Sequence, residues 1–343
     1  MAADKWEKAG IKTETGIVSG VAPVIISASR STDIPAFYSE WFMSRLREGY
    51  VKWVNPFNSK PQYVSFDKAR LIVFWTKDAK PIVPYLKELN ERGINYYFTF
   101  TLNDYENEGF EPGLRSLGDR IDTFRQLSER IGRDKVIWRF DPLVLTDRLD
   151  VEKLLDKVFK VGERITGYTD KLVISFADIS SYAKVRRNLL GGGVNCREFT
   201  PETMEAAALG LCEMNKRWGL EIATCCEGID LSRYNIIKNK CIDDDLMVRL
   251  FPHDKELMEF LGYEAGYITG SGSLEAKNGV VKRKLKDKGQ RMNCGCMMSK
   301  DIGRYDTCGH RCIYCYANSS PGTAYNNYLK YLDSDRNGES ILP

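Results

Sequence analysis

Two histidines serve 343 residues, and no cysteine occurs before Cys196. With only His253 and His310 present, general acid–base chemistry by imidazole is poorly supplied. There is no glycine-rich dinucleotide fingerprint, which removes the usual ground for reading alternating strands and helices as an open nucleotide-binding sheet. Long apolar runs are also missing. Stretches such as 71–75 and 24–26 are strand-sized, so no membrane span is expected. Residues 1–16 are polar and lack the apolar centre of a secretory leader, which points to a cytoplasmic protein. Nor is there an excess of one charge. Lys and Arg total 50 against 47 Asp and Glu, and the net +3 argues against a dedicated nucleic-acid-coating or membrane-surface protein while leaving local basic patches open.

What is present is a repeated β-then-α unit. Short runs rich in Val, Ile, Phe and Tyr predict strands at residues 24–29, 50–55, 70–75, 95–101, 136–140, 171–176 and 220–224. Helical patterns fall between most of them, for example at 81–92, 114–131, 151–165 and 201–218, several opened by Pro81, Asp150 or Pro201. Such alternation implies right-handed βαβ units and a parallel sheet. The expected fold is α/β, a TIM-like or partial (β/α) barrel, with residues 1–20 as an N-terminal extension, 21–260 as the barrel and 261–343 as a C-terminal segment. Polar groups recur where the strands end: Ser29-Arg30, Asn55, Thr76-Lys77, Thr101-Leu102-Asn103, Arg139 with Asp141, Ser175 with Asp178, and Cys225 with Glu227. In a parallel barrel those ends share one face. Loops are polar in any case, but Arg139 between Trp138 and Phe140 calls for a carboxylate or phosphate partner. Residues 264–292, rich in Gly, Ser and Lys, read as an excursion from the fold. The basic stretch 281–291 reads as a solvated loop or a phosphate-backbone contact.

Five of the ten cysteines lie between Cys294 and Cys315. In a reducing compartment a late cluster of thiols points to metal rather than disulfides. Within Thr307-Cys308-Gly309-His310-Arg311-Cys312-Ile313-Tyr314-Cys315-Tyr316-Ala317-Asn318, three thiols at x3 and x2 spacing can converge on one [4Fe–4S] cube and leave its fourth iron open. Zinc is the competing reading, and it would need a further ligand.

Cys-x3-Cys-x2-Cys with an aromatic before the last cysteine resembles the radical S-adenosylmethionine (radical-SAM) signature, and the longer string is similar to the spore photoproduct lyase group. Ser27-Ala28-Ser29-Arg30-Ser31-Thr32-Asp33-Ile34-Pro35, Phe74-Trp75-Thr76-Lys77 and Trp138-Arg139-Phe140-Asp141-Pro142 extend the likeness to a microbial domain of unknown function related to radical-SAM or "DNA repair photolyase" proteins. The resemblance implies a cluster on Cys308, Cys312 and Cys315, S-adenosylmethionine as cosubstrate, a 5′-deoxyadenosyl radical, and an external flavodoxin- or ferredoxin-like electron donor. It implies a substrate that is a small molecule, nucleic acid or peptide. Radical-SAM proteins usually carry these cysteines after the first barrel strand. Their position near residue 310 implies a permuted order, with the C-terminal segment folding back over the barrel mouth.

Arg30, Lys77, Arg139, Asp141 and Glu227 are then expected as catalytic or substrate contacts, and Thr76, His310, Tyr314 and Asn318 as cofactor contacts. Cys225, Cys241, Cys294 and Cys296 are expected to hold an auxiliary cluster, with zinc or plain packing as alternatives. Adjacent Cys225 and Cys226 on an extended segment would point opposite ways, leaving one facing the site. Cys196 and Cys212 read as packing residues. A second function class stays open: a non-catalytic module stabilised by zinc or an iron–sulfur cluster that binds nucleic acid or protein.

Overall fold

The computed structural model describes residues 6–263 and 285–342. Its strands are β1 (Glu7–Thr13), β2 (Gly16–Ala22), β3 (Ile25–Ala28), β4 (Tyr50–Val54), β5 (Pro61–Ser65), β6 (Leu71–Thr76), β7 (Asn95–Thr101), β8 (Val136–Leu143), β9 (Leu145–Thr146), β10 (Lys171–Phe176), β11 (Cys196–Arg197), β12 (Glu221–Thr224), β13 (Ile236–Lys238) and β14 (Lys300–Asp301). Eight of them form one parallel sheet in the order β13-β12-β10-β8-β7-β6-β3-β14. Apart from β14 the spatial order is the chain order, as expected of successive right-handed βα units. The edge strands β13 and β14 do not pair with one another, so main-chain bonding leaves the sheet open. The chain is thus α/β with a large parallel sheet.

Alternation along the strands decides what each face meets. Ile72, Phe74, Phe98, Phe100, Trp138, Phe140, Leu172 and Ile174 point to one side and pack under helices Ser39–Glu48, Leu117–Ile131, Val151–Ile165 and Pro201–Trp218. Phe74 lies stacked on Phe98 at 4.8 Å with Phe42 edge-on at 5.6 Å. Truncating a ring so enclosed costs about 3–5 kcal/mol. Capping side chains start the helices where the sequence places them: Ser116, Asp150 and Thr200 accept from the amides of Asp119, Lys153 and Thr203, and Pro201 takes the first helical position. Helices Val151–Ile165 and Pro201–Trp218 approach so closely that a Cβ at Gly162 would lie 2.4 Å from the Trp218 ring.

The other face is concave in function. Leu71, Val73, Tyr97, Ile137 and Val173 meet the short helices Asp244–Leu250 and Lys255–Leu261 through Leu246, Met247, Leu257 and Met258. Those helices fill the end where the strands begin, and the end where the strands finish is left to the cysteine-rich tail.

Residues 50–55 depart from the expectation. β4 does not join the parallel sheet; it pairs antiparallel with β5, and β5 joins the β1–β2 hairpin in a separate sheet ordered β1-β2-β5-β4. The cause is local. Asn55 and Lys60 close a tight connection, with Asn55 N donating to Lys60 O at 3.0 Å, so β4 finds its partner in the very next residues. Asn55 is therefore not a group at the shared strand ends. Most of residues 264–292 lies outside the described residues. No helix among the described residues is long and apolar enough to cross a membrane.

Candidate functional site

Because residues of one parity face inward, Trp75, Arg139, Asp141 and Ser175 look into the space above the two plugging helices. There they line a cavity of about 440 Å³ at the C-terminal ends of the strands. Cys308, Cys312 and Cys315 line it as well, so Arg139 and the late cysteine loop share one face of the sheet.

The loop's shape follows from what lies behind it. Gly309 is pressed on Phe37, where a Cβ would stand 2.7 Å from the ring. Gly113 N donates to His310 O at 2.9 Å, and a Cβ on Gly113 would be 2.4 Å from Gly309 O. Tyr38 Oη donates to Thr307 O at 2.6 Å. Arg311 takes φ 58, and Cys315 N donates to Cys312 O at 3.2 Å, folding the x3 and x2 spacers into one turn. Burial pushes the Cys308 thiol up to about 12, with the Asp33 carboxylate adding to it, although the amides of His310 and Asp33 favour its ionised form. Burial raises Cys312 and Cys315 too; Lys77 opposes this at Cys312, and the amides of Ala317 and Asn318 oppose it at Cys315. Buried thiols circled by N–H donors ionise when a metal replaces the proton, which is the chemistry of a ligand set.

Several expected cofactor contacts turn out to brace this loop. His310 Nε2 lies 2.7 Å from Asp33 Oδ2, which also accepts from Lys77 N at 2.7 Å. Lys77 Nζ reaches Glu111 Oε1 at 2.7 Å and Tyr314 Oη at 3.1 Å. Tyr314 Oη also donates to Glu111, and Asn103 Nδ2 donates to both of them. Burial works against the Glu111 charge, but Lys77 and Arg120 hold its carboxyl below the ordinary range. Thr76 lines the cavity and accepts from Asp78 N at 2.9 Å. Asn318 is buried with neither amide atom partnered among the described residues, and it does not line the cavity. Tyr316 lines the cavity and donates to Arg30 O at 2.9 Å.

Across the cavity stand Cys225, Cys226, Cys241, Cys294 and Cys296. The sulfurs of Cys225 and Cys241 are 3.5 Å apart. Arg139 bonds Asp141 through Nη2 and donates to Cys241 Sγ through Nη1 at 3.0 Å. Arg30 and Arg139 both hold their guanidinium over the Trp75 ring, at 5.4 and 5.3 Å. The expectation that Cys226 turns away is corrected: it takes φ 64, so the segment bends instead of running extended, and both neighbours line the cavity. Glu227 lies beside this wall. It accepts from Phe176 N at 3.0 Å and lies outside the lining; burial pushes its carboxyl up to about 7.

Asp33, Glu111, Trp75 and Asp301 were not singled out from the sequence, and Asn103 only as a polar group at a strand end. Asp301 accepts from Arg30 N at 2.7 Å and Gly303 N at 2.9 Å, tying β14 to the residues after β3. Asp33 and Trp75 stood in strings that carried the resemblance; Glu111, in a loop, and Asp301, in two-residue β14, had no signal beyond their charge. Of the basic stretch 281–291, residues 281–284 lie outside the described residues, and Gln290 and Arg291 line the cavity.

The fold and site define an α/β protein with a cysteine-walled cavity at the strand ends. The chain belongs to the family described as Domain of unknown function (DUF1848), whose profile matches residues 25–317. No curated protein matches it. Among solved structures, a candidate alpha-L-fucosidase from Bacteroides thetaiotaomicron VPI-5482 aligns over 80% of this chain and 94% of its own at 10% identity, with a TM-score of 0.26.

Proposed function

We propose that this chain is a radical-SAM enzyme holding a [4Fe–4S] cluster on Cys308, Cys312 and Cys315, on a partial (β/α) barrel of permuted strand order. The observation that carries the reading is the position of β14. It lies outside β3 at the edge of the parallel sheet, and the cysteine loop follows it. In spatial order β14 is the first strand, and a cysteine loop after the first strand is the arrangement the resemblance implies.

The donor set suits such a cluster. Three thiols on one loop line an open cavity, and backbone amides favour the ionised form of two of them. A tetrahedral zinc site, with Zn–S of about 2.3 Å, draws its sulfurs to about 3.8 Å from one another. Among the described residues no three cysteine sulfurs lie mutually within 4.8 Å. Held by Cys308, Cys312 and Cys315, a cluster charged by the external donor would supply one-electron cleavage of S-adenosylmethionine into methionine and a 5′-deoxyadenosyl radical. The protein's residues supply position. Phe37, Asp33 and Gly113 fix the loop; Lys77 and Glu111 orient Tyr314; Asp141 and Ser175 face the cavity as candidate substrate contacts. An external electron donor belongs to this reading.

The test is anaerobic purification followed by reconstitution with iron and sulfide. Brown protein that dithionite bleaches, and that forms 5′-deoxyadenosine from S-adenosylmethionine, is the expected result. A colourless protein with one zinc and no 5′-deoxyadenosine overturns the reading in favour of a metal-stabilised binding module.

A further inference from the structure

We infer that Cys225, Cys241, Cys294 and Cys296 hold a second iron–sulfur centre, and that Arg30 and Arg139 are its charge partners. Three separate pieces of chain deliver these thiols: the end of β12, the turn after β13, and the loop before β14. Hydrogen-bond donors converge on the sulfurs. Cys241 Sγ accepts from Arg139 Nη1 at 3.0 Å and Asn239 Nδ2 at 3.1 Å. Cys296 Sγ accepts from Cys241 N at 3.2 Å and Ile242 N at 3.5 Å, and Cys294 Sγ accepts from Cys296 N at 3.5 Å. A neutral thiol is a weak acceptor, whereas metal-bound thiolates are strong ones whose surrounding N–H groups tune the centre.

Charge points the same way. Arg139 is buried and has one carboxylate partner, Asp141. Arg30 Nη2 is buried with no hydrogen-bond partner among the described residues; burial opposes its charge, while Cys296, Asp301 and Cys241 favour it. With Asp141 and Asp301 as the neighbouring carboxylates, Arg30 still keeps a buried, unmet donor, a penalty in the low-dielectric interior. An anionic, thiolate-bound centre removes it. This assigns both arginines to the second centre rather than to S-adenosylmethionine. A disulfide is a poorer account, since the sulfurs of Cys225 and Cys241 are 3.5 Å apart against about 2.05 Å for a bond.

The inference stands apart from the proposed activity, and its test separates the two. In anaerobically reconstituted protein, Cys308, Cys312 and Cys315 are all changed to Ala. The expected result is about half the wild-type iron and sulfide, near four irons per chain for a second cubane. A folded triple variant with no iron, or with one zinc instead, overturns the second centre whatever the wild type does with S-adenosylmethionine. Loss of iron from the wild type at Cys308–Cys315 with iron kept elsewhere would sink only the activity. Within the triple variant, Arg139→Met is expected to lower the midpoint potential of the remaining centre, because removing a neighbouring cation disfavours the reduced, more negative state. An unchanged potential overturns the role given to Arg139. Since loss of buried Cys241 can unfold the sheet edge, native mass spectrometry of the folded triple variant counts the centre independently: the mass of one cluster is expected, and that of none is fatal.

Discussion

At the start of the strands, charged side chains stand in pairs. Arg70 grips Asp254 through Nε and Nη2 at 2.9–3.1 Å, Arg133 meets Asp170 at 2.6 Å, and Lys171 bridges Glu221 at 2.8 Å and Asp243 at 3.6 Å. At the other end, four residues lining the cavity hold buried polar atoms without partners among the described residues: Arg30 Nη2, Thr32 Oγ1, Trp75 Nε1 and His310 Nδ1. Buried polar atoms in native proteins are nearly always satisfied, so each of these four is an atom that a bound group in the cavity could meet. The same sheet thus has an end built for stability and an end built to receive a ligand. Substitutions should sort by end.

The largest effect falls on the cavity side and on activity alone. Cys312→Ala should reduce 5′-deoxyadenosine formation to background while circular dichroism and melting stay close to wild type, because the strands keep their own core. Wild-type turnover in this variant would remove the triad from the chemistry.

Next is the brace behind the triad. Lys77 is half-buried and Glu111 buried, with side chains 16% and 3% exposed. Lys77→Met strands the Glu111 charge and should cost about 3–5 kcal/mol in denaturant unfolding. Adding Glu111→Gln should recover most of that. If the double variant is no more stable than the single, the pair does not carry the effect. A smaller loss, about 1–3 kcal/mol, is expected for Gly309→Ala, whose new methyl is forced onto Phe37. It should weaken iron retention as well, since the same contact shapes the loop. Unchanged melting with full iron would mean that Phe37 simply moves aside.

How much of this the sequence disclosed depends on how far apart the partners are. β6, β7, β8 and β10 were legible because each is a run of β-branched and aromatic residues. β13 and β14, of three and two residues, carry no pattern, although β14 positions the cysteine loop. β4 was readable as a strand but not assignable to a sheet, because its partner β5 opens with proline and reads weakly. Cys308, Cys312 and Cys315 announce themselves through spacing within one loop. The gathering of Cys225, Cys241, Cys294 and Cys296 could be suspected from composition, but that Cys225 and Cys226 both face inward turned on one dihedral. That Lys77 would meet Glu111, or Arg30 a wall of thiols, is a matter of tertiary neighbours that no local pattern encodes.

The smallest effect belongs to the paired end and tests the comparison from the opposite side. Asp254 caps helix Lys255–Leu261 by accepting from Leu257 N at 2.9 Å, and it receives both Arg70 and Asn95. It therefore joins the beginnings of β6 and β7 to one of the helices that plug the inner face. Asp254→Ala removes a cap, typically worth about 1 kcal/mol. It also removes an ion pair whose arginine side chain is 31% exposed, so that its contribution, after solvent screening, is at most about 1 kcal/mol. A loss of about 1–2 kcal/mol in unfolding free energy is expected, with iron content and 5′-deoxyadenosine formation per folded molecule unchanged. Both readouts are needed. Lower stability with intact iron would keep the two ends energetically separate. Iron lost in proportion to stability would show that the plugging helices hold the cavity's cysteines as well as the strand beginnings, and the division of the sheet into a structural and a binding end would have to be given up.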